Sequence, residues 1–241
     1  FWLVLSTFGA LPFALSQETN VSFIDALFES ISGLTTTGAT VFTNLEDLPK
    51  SILYYRQQLQ WLGGIGIVVI AVSILPMIGV GGMQIYKAET PGPIKDTKLT
   101  PRIAETANAL FKIYVFLTVV CAIAYWVAGM SWFDALSHSF STISIGGFST
   151  YDESLGHFDN NAVLTIASIF MVVSGLNFAL HYTAWHARSI KSYISDPEAR
   201  LFVLVILFGI LVTTYFLYTT ASMPNEEILF VGVFQLISIL T

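Results

Sequence analysis

Charged residues are scarce in this chain: ten Lys and Arg and sixteen Asp and Glu make up 11% of 241 residues. A soluble domain carries about 25%. With 54% hydrophobic residues and a mean hydropathy of +0.71, the composition excludes a water-soluble globule and implies a membrane chain. Cysteine is nearly absent. Cys121 stands alone mid-span, which excludes an intrachain disulfide and leaves the redox compartment open. The amino terminus lacks a Met, a basic stretch and a cleavage motif, so no signal peptide is read. Residues 1–15, FWLVLSTFGALPFAL, read instead as the rear part of a span, and the chain is expected to start mid-helix. The net charge is −6, and no nucleic-acid partner is expected.

Four stretches hold no Asp, Glu, Lys or Arg: 57–86, 113–133, 160–187 and 201–225, of 30, 21, 28 and 25 residues. Crossing about 30 Å of hydrocarbon takes roughly 20 helical residues, so each stretch is long enough. Eight of the ten basic residues occupy two loops, as Lys87, Lys95, Lys98, Arg102, Lys112, Arg188, Lys191 and Arg200. The positive-inside bias places those loops in the cytoplasm. Eleven of the sixteen acidic residues then fall outside or in the outer half, against only Lys50 and Arg56. Such an outer face raises the local cation concentration, but topogenic selection alone predicts the same asymmetry, and both readings stay open.

Residues 22–40, SFIDALFESISGLTTTGAT, recur 109 positions later as SWFDALSHSFSTISIGGFS. Ser22, Asp25, Ala26, Leu27, Ser30, Ser32 and Gly38 align without a gap on Ser131, Asp134, Ala135, Leu136, Ser139, Ser141 and Gly147. Each copy is an apolar run too short to cross a bilayer, ends in small and hydroxyl residues, and is flanked by runs long enough to cross. The expected order is a helix over 1–15, a short re-entrant helix over 22–33 and a return strand over 34–43. An inward helix over about 57–85 and a cytoplasmic segment broken at Pro91, Gly92 and Pro93 follow. The second unit has a helix from Thr100–Pro101 to about 129, a short helix over 131–142, a return strand over 143–150 and an inward helix over about 161–192. A helix over 198–221 follows. The tail VGVFQLISILT aligns on residues 25–35 by an offset of 206, as the start of a third copy. The fold class is therefore an all-α membrane protein of repeated units around a single pore. Residues 1–86 form the first unit, 87–100 a linker, 101–192 the second unit and 193–241 the start of a third.

The return strands carry the chemistry. A dehydrated K⁺ ion needs its hydration shell replaced, and rings of backbone carbonyls do this without fixed charge. Carbonyls turn into a narrow pore only through unusual dihedrals, which glycine adopts at least steric cost. Thr35, Thr36, Thr37, Gly38 and Ala39, and Ser144, Ile145, Gly146, Gly147 and Phe148, meet that specification. The carbonyl ends of the short helices add a field that favours a cation. K⁺ is the expected transported ion and the only metal, at these residues alone; no organic cofactor is expected.

SGLTTTGAT after a short helix, then WLGGIGIVVIAVSILPMIGVGGMQIYKAETPGP, SIGGFST and NFALHYTAW, resemble the TrkH branch of the Trk/Ktr/HKT potassium transporter superfamily over essentially the whole chain. The resemblance implies four non-identical M1–P–M2 units around one pore, where P is a re-entrant pore helix plus filter strand. The chain would hold part of the first unit, all of the second and the start of the third. The filter glycines would fall on Gly38 and Gly147. A Ser in place of the first filter glycine accompanies Na⁺ transport in plant and related members, so Gly at both positions implies K⁺. The resemblance also implies a homodimer in a bacterial inner membrane, in contact with lipid, and a cytosolic nucleotide-binding partner resembling TrkA.

Other features have plainer readings. Gly63, Gly64 and Gly66 lack the strand-before context of a phosphate loop and read as helix-packing residues; Gly79, Gly81 and Gly82, behind Pro76, mark a loosened inner helix end. His181 and His186 are five apart, off one helix face and without a further ligand at metal spacing. Asp25 and Asp134 read as caps or cation attractors. Glu29 has His138 as its counterpart, so it is no symmetric ion ligand, though an intramembrane carboxylate points to function. A secondary transporter with broken helices is an alternative, and the same-direction repeats count against it. A Na⁺- and K⁺-permeating member of the same superfamily is another. An intramembrane serine protease lacks a Ser in a glycine elbow with a paired His, and no enzymatic activity is expected.

Overall fold

A computed structural model describes the backbone of residues 2–78, 99–220 and 225–241. Helices carry the described residues, without a β-strand among them. They are α1 (Trp2–Leu15), α2 (Phe23–Leu34), α3 (Lys50–Ile78), α4 (Leu99–Val127), α5 (Trp132–Ser144), α6 (Asn161–Gly175), α7 (Phe178–Ala187), α8 (Lys191–Ser195), α9 (Pro197–Thr220) and α10 (Asn225–Leu240). The expected return strands over 34–43 and 143–150 are irregular backbone rather than paired strand. The breaker motif at Pro91, Gly92 and Pro93, and the loosened end at Gly79, Gly81 and Gly82, lie outside the described residues.

The short helices start where sequence chemistry dictates. Ser22 caps α2 by accepting the Asp25 backbone N–H at 3.2 Å and donates its hydroxyl to the Asp25 carboxylate at 2.7 Å. Ser131 and Asp134 repeat this at the start of α5, at 3.2 and 2.6 Å. Such caps contribute about 1 kcal/mol each and fix the entry of each helix. α5 packs against its own preceding helix α4 and against α3 of the unit before. α10 packs in the same way against α9 and α6. Each short helix thus sits between two long ones, and successive units interlock.

Two elements differ from the sequence expectation. α3 begins at Lys50, not near 57. The Pro49 carbonyl accepts the first N–H groups, from Ile52 at 2.9 Å and Leu53 at 3.1 Å, and the helix carries Arg56, Gln57 and Gln60 fully buried. A boundary drawn at the last charge misses this turn because Arg56 is a buried helical residue. The inward helix expected over 161–192 is broken: α6 ends at Gly175, and the axes of Asn161–Gly175 and Leu180–Ala187 are bent by 94°. Leu176 leaves the helical region at φ −75°, ψ 148°. The freed Val173 carbonyl accepts from the Leu176 N–H at 3.3 Å and from His181 Nε2 at 2.9 Å, while His181 Nδ1 meets the Tyr193 hydroxyl at 2.8 Å. His181 therefore closes the hydrogen bonds of a broken helix, and among the described residues no cluster could hold a metal ion.

The core falls into two clusters, one around Phe13, Ala26, Leu34 and Leu59, the other around Tyr114, Cys121, Tyr125, Ile143 and Val163. Trp61 packs against the second, with its ring 5.5 Å from Tyr114 and 5.3 Å from Phe140. Two described helices, Ala107–Val127 and Pro197–Thr220, are long and apolar enough to cross a membrane, and the bent pair would make a third.

Close approach at the ends of α2 and α5 requires glycine on α3. A Cβ at Gly63 would run into the Leu34 carbonyl, and one at Gly64 would lie 2.7 Å from Ser144 Cβ. Gly63→Ala is expected to destabilise the protein by about 1–3 kcal/mol, as overpacking against fixed backbone does. Thermal unfolding in detergent checks this; an unchanged Tm would refute the contact.

A candidate ion filter

Both short helices end in the same way. The Thr37 N–H reaches back to the Ser32 carbonyl at 2.9 Å and the Thr36 N–H to Gly33 at 3.0 Å. At the equivalent places Gly146 reaches Ser141 at 2.9 Å and Ile145 reaches Thr142 at 3.2 Å. This is a Schellman cap, and it demands a left-handed residue just past the helix. Thr36 (φ 54°) and Ile145 (φ 53°) supply it, although β-branched residues adopt this region only under strain of about 1–3 kcal/mol. Two residues on, Gly38 (φ 78°) and Gly147 (φ 83°) turn left-handed again. The offset of 109 found in sequence therefore also relates the unusual dihedrals. In an extended strand successive residues face opposite sides; a left-handed residue at every second position breaks that alternation and lets neighbouring carbonyls share one side.

The two segments meet. A Cβ at Gly38 would collide with the Gly146 carbonyl oxygen, whereas one at Gly147 would have nothing within 4 Å. Thr37, Gly38, Ile145, Gly146, Gly147 and Phe148 line one cavity of about 520 Å³, which Gln235 and Ser238 of α10 also reach. Thr35, Thr36, Ala39 and Ser144 are not among its lining residues. The Thr35 and Ser144 hydroxyls instead donate back into their helices, to Ile31 at 2.7 Å and Ser141 at 3.1 Å. Ala39 is exposed. Phe148 is buried, its ring serving as a floor for Arg56 at 4.4 Å.

Side chains from α2, α3 and α5 hold the irregular backbone. The Gln60 amide brackets the second segment, donating from Nε2 to the Gly146 carbonyl at 2.7 Å and accepting the Phe148 N–H on Oε1 at 3.0 Å. In the first segment the Glu29 carboxylate accepts the Thr40 hydroxyl at 2.9 Å and the Val41 N–H at 3.1 Å. It pairs with Arg56 Nε at 2.7 Å, both side chains being at most 1% exposed. In the second, His138 Nδ1 lies 2.9 Å from the Asp134 carbonyl. A carbonyl only accepts, so Nδ1 carries the proton, and Nε2 is left to accept the Ser149 hydroxyl at 2.9 Å. Ser149 is the counterpart of Thr40 as His138 is of Glu29, so both units pin the same position by different chemistry.

Asp25 and Asp134 serve as caps, and Asp134 also accepts from Thr150 at 3.0 Å and Tyr151 at 3.3 Å. Burial, followed by the Asp134 charge, holds the Tyr151 hydroxyl above its ordinary pKa. With Glu29 paired, these two aspartates engaged and Asp152 accepting the Leu45 N–H at 3.2 Å, at least four of the eleven outer acidic residues are committed to local bonds. Sequence reasoning missed Arg56 and Gln60 as site residues. The available signal was a polar run, Arg56-Gln57-Gln58 with Gln60, at the head of the thirty-residue uncharged stretch 57–86.

Gln60→Leu keeps the side-chain volume but leaves the Gly146 carbonyl and the Phe148 N–H buried without partners, at roughly 1–3 kcal/mol each. It is expected to lower thermal stability, and Gln60→Glu, which can accept but not donate when ionised, to fall between leucine and wild type. Equal stability of all three in thermal unfolding would contradict the bracket.

Comparison with known proteins gives the family. Residues 1–236 match the family model described as TrkH: Cation transport protein. The chain is 56% identical over its full length to the Trk system potassium uptake protein TrkH of Halomonas elongata, and 52% identical to that of Escherichia coli K12, covering 50% of each. The crystal structure of the potassium transporter TrkH from Vibrio parahaemolyticus superposes on 99% of this chain and 48% of that one, at 48% identity and a TM-score of 0.85. The chain thus spans about half the length of these relatives. It belongs to the TrkH family of membrane cation transport proteins.

Proposed function

We propose that the full-length protein carries K⁺ into the bacterial cell across the inner membrane, through a filter of backbone carbonyls to which residues 35–39 and 144–148 contribute. The observation that carries this reading is the paired left-handed backbone at Thr36 and Gly38 and at Ile145 and Gly147, with Gly38, Ile145 and Gly147 lining one cavity. Carbonyl oxygens there replace water around a dehydrated ion, and small hydroxyl side chains keep the walls polar. Residues 1–86 and 101–192 are two pore units, and 193–241 begins a third, with Gln235 and Ser238 on the same cavity. The relatives' names, potassium uptake proteins of the Trk system, support the same cargo. The finer assembly is a lipid-embedded homodimer with a cytosolic nucleotide-binding subunit resembling TrkA on the Lys- and Arg-rich side.

One observation favours the alternative of a secondary transporter, the broken helix between α6 and α7, since transporters build sites at helix breaks. The freed Val173 carbonyl is satisfied by Leu176 and His181 and stays out of the lining of the cavity. Filter conduction remains the better reading.

Growth of a K⁺-uptake-deficient bacterium at low K⁺ tests it. Full-length wild type is expected to restore growth. Gly38→Ala meets both a left-handed backbone and the Gly146 oxygen, whereas Gly147→Ala meets only the former. Strain of about 1 kcal/mol for alanine at such a dihedral lowers a rate about fivefold in both, and the clash with the Gly146 oxygen adds about 1–3 kcal/mol at Gly38 alone, so Gly38→Ala should lose at least about fivefold more uptake than Gly147→Ala. Gly38→Ser should admit Na⁺. Uptake indifferent to all three would end the filter reading.

A further inference from the structure

Arg56 touches both filter segments at equivalent positions. Its Nη2 donates to the Thr40 hydroxyl at 3.0 Å, two residues past Gly38. Its Nη1 donates to the Ser149 carbonyl at 3.0 Å, two residues past Gly147. Nε is held by Glu29 at 2.7 Å, and the guanidinium lies 4.4 Å over the Phe148 ring. Four groups from α2, the first segment and the second segment thus converge on one planar fork. A lysine cannot reproduce that, because an ammonium offers a point charge rather than donors at fixed angles.

Stability alone does not account for such a residue. Burying an ion pair gains little over apolar side chains of the same volume, because desolvation offsets the Coulomb attraction. What the pair adds here is geometry. The two segments are also in contact where Gly38 faces the Gly146 oxygen, so a displacement of one relative to the other changes the width of the cavity between them. Arg56 fixes that displacement from behind, and Glu29 fixes Arg56.

We infer that Arg56, neutralised and aimed by Glu29, is a positioning residue that sets the spacing of the first two filter segments and with it the discrimination between K⁺ and Na⁺. This rests on the transport reading above and adds to it a determinant outside the return strands. Thr40 is the accessory element, since its hydroxyl donates to Glu29 and accepts from Arg56. The device differs from the pinning of Ser149 by His138, which stays within one unit.

The test uses full-length protein, with K⁺ and Na⁺ uptake measured separately in proteoliposomes. R56K keeps the charge and loses the fork. E29Q with R56M removes both charges together and avoids an unpaired buried one. Both are expected to raise the KM for K⁺ and to lower K⁺-over-Na⁺ discrimination by about tenfold, with Vmax changed less than KM. Thr40 is exposed, so T40A should fold even where the buried variants do not. T40A is expected to lose part of the discrimination and T40S to restore it. Wild-type discrimination in T40A, or in any folded R56K or E29Q/R56M protein, overturns the inference while leaving transport intact. A wild type that carries no K⁺ overturns both this inference and the reading beneath it, and the two failures are distinguishable by that control.

Discussion

Backbone that leaves a helix within a bilayer loses the partners a helix supplies, and no water stands ready to replace them. Every other feature of this structure answers that constraint. Ten residues of irregular backbone follow α2 and nine follow α5, and side chains satisfy them where their polar groups turn inward. Gln60 brackets Gly146 and Phe148, Glu29 gathers Thr40 and Val41, and Asp134 takes Thr150 and Tyr151. Polar residues that would be costly on a lipid-facing helix are therefore concentrated on the faces of α2, α3 and α5 that turn toward the filter. Gly146 and Phe148, which line the cavity, are held in this way by Gln60 from α3.

The constraint also explains why glycine appears where it does. Gly63 and Gly64 lie on α3 opposite Leu34 and Ser144, the last residues of the two short helices. Their lack of side chains lets α3 reach both helix ends, which brings Arg56 and Gln60, two turns and one turn earlier, level with the segments they hold. Gly38 and Gly147 have a different task, a left-handed turn within the segment itself. Packing and dihedral freedom are separate uses of one residue type, and the sequence context distinguishes them: GGIG within an apolar run against TTTG and IGG after a capped short helix.

Much of the architecture was legible because it is local or periodic. Ser22 with Asp25 and Ser131 with Asp134 announce the short helices, and the 109-residue offset ties them together. The ends of the two short helices agree within about two residues, which is the ordinary uncertainty of such boundaries. What escaped was long-range. Arg56 looked like a loop charge because charge was the marker used to end spans, and its partner Glu29 lies 27 residues away on another helix. The break at Leu176 escaped for the opposite reason. Nothing in the run SGLNF is strongly helix-breaking, and the bond that makes the break tolerable comes from His181 and depends on Tyr193. Candidate filter residues were legible as a group, but which of them face the cavity was not, since Thr35 and Ser144 spend their hydroxyls on helix carbonyls.

The internal repeat is exact in backbone and inexact in chemistry. One position on the short helices holds Glu29, His138 and, by the offset of 206, Gln235. The first two bind the hydroxyl of the matching return segment, one as a charged acceptor and one as a neutral ring. Only the first brings an ion pair, and only the first has an arginine to extend it into the next unit. α6, which packs on α10 as α3 packs on α5, contains neither Arg nor Gln. The tie across the first junction is therefore absent from the second among the described residues. The two junctions are therefore alike in helix packing and unlike in the side chains that cross them.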